Sequence, residues 1–111
     1  MRKIEAILDP DQLDAIKGAL GLIGVQGMTV CEVRGSHSES FATTRYSGAD
    51  YRQLQPKIRV EIVVEDRFAD AVVRRVVLTA NRGRLSDGTI AVLPLADAIR
   101  IRTGEHGPDA I

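Results

Sequence analysis

The spacing of apolar positions changes character along this chain. Lys3-Ile4-Glu5-Ala6-Ile7-Leu8 alternates and then becomes apolar before Asp9-Pro10, where proline removes a ladder donor, so a first strand is predicted over 3–8. Leu13, Ile16, Leu20 and Ile23 recur at threes and fours, the stripe of an amphipathic helix over roughly 11–23 that Gly24 closes. Residues 28–33, rich in β-branched types, and residues 58–64, which alternate cleanly before an acidic break, predict two further strands. Phe68, Val72, Val76 and residues 78–80 mark a second helix that runs to about Ala80, with Asp66 as its N-cap. Residues 89–93 predict a fourth strand. After a turn over 94–98, the alternation of Ile99-Arg100-Ile101-Arg102 puts both arginines on one strand face.

Two similar halves in the order βαβ-βαβ predict an α+β, ferredoxin-like βαββαβ sandwich over 1–111 as a single domain, with both helices on one face of an antiparallel sheet. Strands two and three read as apolar or β-branched on both sides, so the second sheet face is expected to be covered by another subunit. With 111 residues and 44% hydrophobic types, but no Trp and only two Phe and two Tyr, the core must rest on aliphatic side chains, which also favours a homo-oligomer. Lys and Arg balance Asp and Glu at 15 each, so no global field draws the chain to nucleic acid or an anionic membrane. The single Cys31 and the lack of an apolar leader predict a cytoplasmic protein without membrane insertion.

Between strands two and three lies a polar stretch over 35–56, far beyond the usual hairpin connection of about two to five residues. Its Ser and Thr content disfavours a private core, while Phe41, Tyr46, Tyr51 and Leu54 supply apolar anchors. That composition suits a segment that orders on a ligand or partner.

The tip of this loop, Tyr46-Ser-Gly-Ala-Asp-Tyr51, resembles the loop-tip motif of PII signal-transduction proteins. The resemblance extends through Met28-Thr-Val, Glu32-Val33, Pro56-Lys57, Val60-Glu-Ile-Val-Val64 and Ile99-Arg-Ile-Arg-Thr-Gly-Glu105. It implies a homotrimer that binds adenine nucleotide in clefts between subunits and regulates a target protein through the long loop. Ile7, Thr29, Glu61 and Val63 would line the base, with Gly35 at the loop base. Ser86, Asp87, Gly88 and Thr89, in a phosphate-side loop over 81–89, would face the phosphates together with Arg100 and Arg102 of the C-terminal segment 99–111. Two guanidinium forks can clamp a polyphosphate by charge-assisted bonds, and glycine allows backbone N–H groups close to an anion. Lys57, helped by Arg45, would meet a small anion. Tyr51 matches the residue that is uridylylated in part of the family.

The departures from the family pattern fall on the phosphate and organic-acid side. Ser86-Asp87-Gly88-Thr89 stands where the family has glycine-aspartate-glycine-lysine, and His37, Ser38 and Glu39 stand where it has glycine, arginine and glutamine. The lost cations favour ADP or AMP over ATP. A glutamate in place of the glutamine repels a dicarboxylate, which argues against magnesium and 2-oxoglutarate. Such losses fit relatives associated with bicarbonate transport or carboxysomes, making bicarbonate the candidate small anion and a transporter, an enzyme or a carboxysome-associated factor the candidate target. The alternatives are a standard nitrogen-regulatory protein that senses ATP, ADP and 2-oxoglutarate, and a trimeric scaffold without nucleotide. Cys31, His37 and His106 form no triad or metal motif, so no enzyme is predicted.

Overall fold

The two hydrophobic periods are realised as strands and helices in a computed structural model that describes residues 1–35, 43–46, 49–52 and 54–111, with 43–46, 49–52 and Leu85 described by backbone alone. The elements are β1 (Arg2–Leu8), α1 (Leu13–Leu22), β2 (Thr29–Gly35), β3 (Thr43–Tyr46), β4 (Ala49–Arg52), β5 (Gln55–Val64), α2 (Asp66–Ala80) and β6 (Thr89–Pro94). The main sheet has the order β2-β5-β1-β6 with every neighbouring pair antiparallel. This is the α+β, ferredoxin-like arrangement expected from the order of the elements.

Alternation decides which side chains meet the helices. Ile4, Ala6 and Leu8 of β1 and Ile58, Val60, Ile62 and Val64 of β5 are buried in one cluster with Ile16 and Leu20 of α1. On α2 the buried stripe is Ala69, Val72, Val76 and Ala80, a spacing of three, four and four. Phe68 and Leu78, expected in that stripe, are exposed instead: a start at Phe68 would leave a uniform four-residue step that drifts off the core face. Asp66 is the first helical residue rather than the N-cap, which is Glu65 in extended conformation, and the Asp66 carboxylate pairs with the N-terminal ammonium at 2.9 Å. Before α1, residues Pro10–Gln12 form a 3-10 turn, so the regular helix begins two residues later than the stripe suggested.

The face away from the helices carries charged side chains among its apolar and β-branched positions. Glu5 lies opposite Glu61 in the β1–β5 register, and that like-charge pair is bridged by Lys3, at 3.0 Å from Glu5 and 3.5 Å from Glu61, while Arg59 meets Glu61 at 3.0 Å. Two readings of the connections also change. The polar stretch between β2 and β5 contains a separate antiparallel hairpin, β3–β4, whose register closes on Tyr46 opposite Ala49. Residues 99–102 do not form an alternating strand: Ile99 makes an isolated bridge to His106, and the chain between them turns, with Gly104 at φ +76° and its N–H bonded to the Arg100 carbonyl at 2.7 Å. Arg100 and Arg102 therefore sit on a tight turn, not on one strand face.

Candidate functional site

The antiparallel order gives the sheet two ends, and the candidate residues divide between them. At the end where β2 starts and β5 finishes, Thr29 pairs with Glu61, and both line a cavity of about 670 Å³ with Val63, Met28 and Phe68. The chain terminus closes one side through Pro108 and Ile111, which brings the C-terminal segment to this end. Within that segment Arg100 forms an ion pair with Glu105 at 2.9 Å and Arg102 is exposed. His106 meets Asp97 at 2.8 Å; this contact, followed by the Ala98 and Gly107 backbone N–H groups, holds the Asp97 carboxyl below the usual range.

At the other end β2 and β1 finish while β5 and β6 start. Gly35, Lys57 and residues 86–89 meet here, and so does Ile7, which was expected beside Thr29, Glu61 and Val63 but pairs with Arg59 and Thr89 near the end of β1. Gly88 has φ +111°, and a Cβ there would fall 1.8 Å from the Ile7 carbonyl oxygen, so only glycine lets the 81–89 loop lie against β1. Gly35 is under no such demand, since a Cβ would reach only ordinary contact with Lys57 at 3.5 Å. The Asp87 carboxylate organises the loop by accepting from the backbone N–H of Arg82 at 2.6 Å and of Arg84 at 3.0 Å. Those bonds, the Arg84 one foremost, lower its pKa. The Gly83 N–H is taken by Asn81 and the Asp87 N–H by the Arg84 carbonyl.

A charged cluster that the sequence reading missed sits at this second end. Lys57 is nearly buried, bonded to Asp9 and, at 3.3 Å, to the Ser86 carbonyl. Arg82 reaches Asp9 at 3.3 Å and Asp11 at 3.2 Å, and the Asp11 bond raises its pKa while lowering that of Asp11. The antiparallel β1–β5 pairing was the available signal, because it must bring the residue after β1 close to the start of β5.

The two groups lie far apart in one chain: Thr29 and Gly35 are six steps apart on β2, about 20 Å at roughly 3.4 Å per residue. A ligand that touches both groups must be held by two copies, or one group must be released. Arg45 and Tyr51 lie in β3 and β4, and their side chains are outside the described residues, as are His37, Ser38 and Glu39.

The family model described as nitrogen regulatory protein P-II matches residues 1–105. The chain belongs to the P-II family. It is 45% identical over 112 aligned positions to nitrogen regulatory protein P-II of Rhodospirillum rubrum and 44% identical to nitrogen regulatory protein P-II 1 of Escherichia coli K12, covering 100% of each pair of chains. The Azospirillum brasilense P-II is 42% identical over the same extent. P-II proteins are regulatory signalling proteins and not enzymes, and they bind adenine nucleotides and act on target proteins. Among the described residues, no helix is long and apolar enough to cross a membrane.

Proposed function

We propose that this P-II protein is a homotrimeric adenine-nucleotide sensor that binds ADP or AMP ahead of ATP in clefts between copies and passes the bound state to a target protein through its long loop. The division of the family-matched residues between two ends of the sheet carries this reading. Thr29, Glu61 and Val63 would supply a base wall from one copy, with Arg100 and Arg102 on the same side. Ile7, Gly35 and the Ser86–Thr89 loop of the neighbour would supply the phosphate side. Thr89 gives a terminal phosphate no cation, so a further phosphate gains no charge-assisted bond there.

Calorimetry with ATP, ADP and AMP, each with and without bicarbonate or 2-oxoglutarate, tests this reading. The expected result is ADP and AMP binding at least as tight as ATP, since one charge-assisted bond lost at a terminal phosphate is worth about 1.5–3 kcal/mol. No heat with any nucleotide overturns the sensor and leaves the scaffold. The names of the relatives favour a second reading, standard nitrogen regulation, which strong magnesium-ATP and 2-oxoglutarate synergy would establish in its place. A bicarbonate-dependent gain in nucleotide affinity would instead make bicarbonate the second ligand. A single-chain mass by light scattering would remove the intersubunit cleft.

A further inference from the structure

Lys57 lies at the base of the long loop, and its environment is unusual for an anion receptor. Its side chain is 7% exposed, and its ammonium already has a carboxylate partner in Asp9. The other oxygen of that carboxylate faces Arg82 Nη2 at 3.3 Å. Arg82 is in turn fixed by Asp11 at 3.2 and 3.3 Å. The buried amide of Gln12, oriented with its oxygen toward Arg82, accepts from Nη2 at 3.0 Å and Nε at 2.8 Å. The backbone adds its own constraint, because Asp9 is extended and followed by Pro10 at the start of the 3-10 turn. A side chain this short, held at both oxygens and on a fixed backbone, is a preorganised anion.

We propose that Asp9 is the resident anion of the Lys57 pocket: the chain fills with its own carboxylate the position that a small anionic ligand would take, and Arg82 holds it there. The inference goes beyond the proposed function, because it concerns small anions and is independent of the nucleotide. An external bicarbonate or carboxylate gains Lys57 only by displacing Asp9, which leaves a carboxylate beside Asp11 and Asp87 with one cation fewer. Small anions are thereby excluded from this pocket in the intact protein. The same contact ties the start of β5, where the long loop ends, to the end of β1 and to the 81–89 loop through the Ser86 carbonyl.

The test uses the full-length protein without nucleotide, titrated with sodium bicarbonate, acetate and 2-oxoglutarate at constant ionic strength and followed by calorimetry and thermal melting. Asp9→Asn keeps the shape and removes the charge, leaving Lys57 buried without its partner. The expected result is little or no saturable binding in the parent, and in D9N an affinity for at least one of these anions that is about tenfold higher or more, the scale of one charge-assisted hydrogen bond. The D9N melting temperature should fall and recover as the anion is added, and Lys57→Met in the D9N background should abolish that recovery. Arg82→Gln, which loosens Asp9 without removing it, should show a smaller gain and decides the matter alone if D9N does not fold. Saturable binding by the parent as tight as by D9N overturns the proposal, as does a folded D9N, or R82Q in its stead, that gains no anion affinity. Because nucleotide is absent throughout, none of these outcomes bears on the nucleotide cleft.

Discussion

The two ends of the sheet are held together by different physics. At the Thr29 end a cavity is walled by Val63, Met28, Phe68 and Ile111, with the Glu61 carboxylate as one of its polar groups. That combination suits a flat, partly apolar group that needs orientation by a few polar contacts. At the Lys57 end three carboxylates, Asp9, Asp11 and Asp87, interleave with Lys57, Arg82 and Arg84 around a loop pinned by Gly88. One end is shaped by packing, so its residues tolerate substitution at modest cost. The other is shaped by charge and backbone geometry, and fails when either is disturbed.

Gly88→Ala tests that difference most severely. The new Cβ would collide with the Ile7 carbonyl in a backbone region that L side chains avoid, so the loop must swing away from β1, at a cost of about 1–3 kcal/mol or more. Both the melting temperature and nucleotide binding should drop. At the opposite end Val63→Ala removes two methyl groups from a half-buried position on the open face, and its stability should stay within about 1 kcal/mol of the parent. If calorimetry and thermal melts find the two variants equally stable, the contrast between the ends is wrong.

Acid should reveal the same contrast more gently. Asp87 has its pKa depressed chiefly by the Arg84 backbone N–H, and Asp66 has its pKa depressed chiefly by the N-terminal ammonium. A carboxylate depressed in the folded state adds stability that is present above its unfolded pKa, about 4, and is lost as pH falls through the lower folded value. Melting temperature should therefore fall below about pH 4 in the parent. Asp87→Asn, which has no such proton to take up, should flatten that fall more than Asp66→Asn, because the Asp87 side chain is 14% exposed and that of Asp66 is 66% exposed. Identical pH profiles for D87N and the parent would mean that Asp87 is not what organises the loop.

Much of this arrangement is legible in the residues, and the parts that are not share a cause. The strands and helices follow from period: Ile4, Ala6 and Leu8 alternate into the core, and Val72 and Val76 recur at helical spacing. The β3–β4 hairpin escaped because each of its strands is only four residues long, too short for alternation to stand out in a Ser- and Thr-rich stretch; the signal was the two-residue Ser47-Gly48 spacer between β-prone runs. Four alternating residues at 99–102 are too few to separate strand from turn, and Thr103-Gly104 was the stronger local cue. The Lys57–Asp9–Arg82 cluster joins positions 48 and 73 residues apart, so spacing alone could not show it. Only topology brings them together.

The weakest effect is expected from the ion pair between Arg100 and Glu105, and it probes whether the Thr29 end is complete without its arginines. The pair closes at 2.9 Å with both side chains more than two-fifths exposed, so its own worth is about 0–1 kcal/mol. If Arg100 serves a phosphate in the cleft, Glu105 competes with that phosphate for the same guanidinium. Glu105→Gln removes the competitor and should tighten ADP by up to about fivefold, the equivalent of that 1 kcal/mol. Arg100→Ala should weaken ADP, and Arg102→Ala should weaken it without any change at the Glu105 contact. A loss of ADP affinity in E105Q would reverse the argument: the ion pair would then be holding the turn in the shape that lets Arg102 reach the ligand, and the Thr29 end would depend on charge geometry as the Lys57 end does.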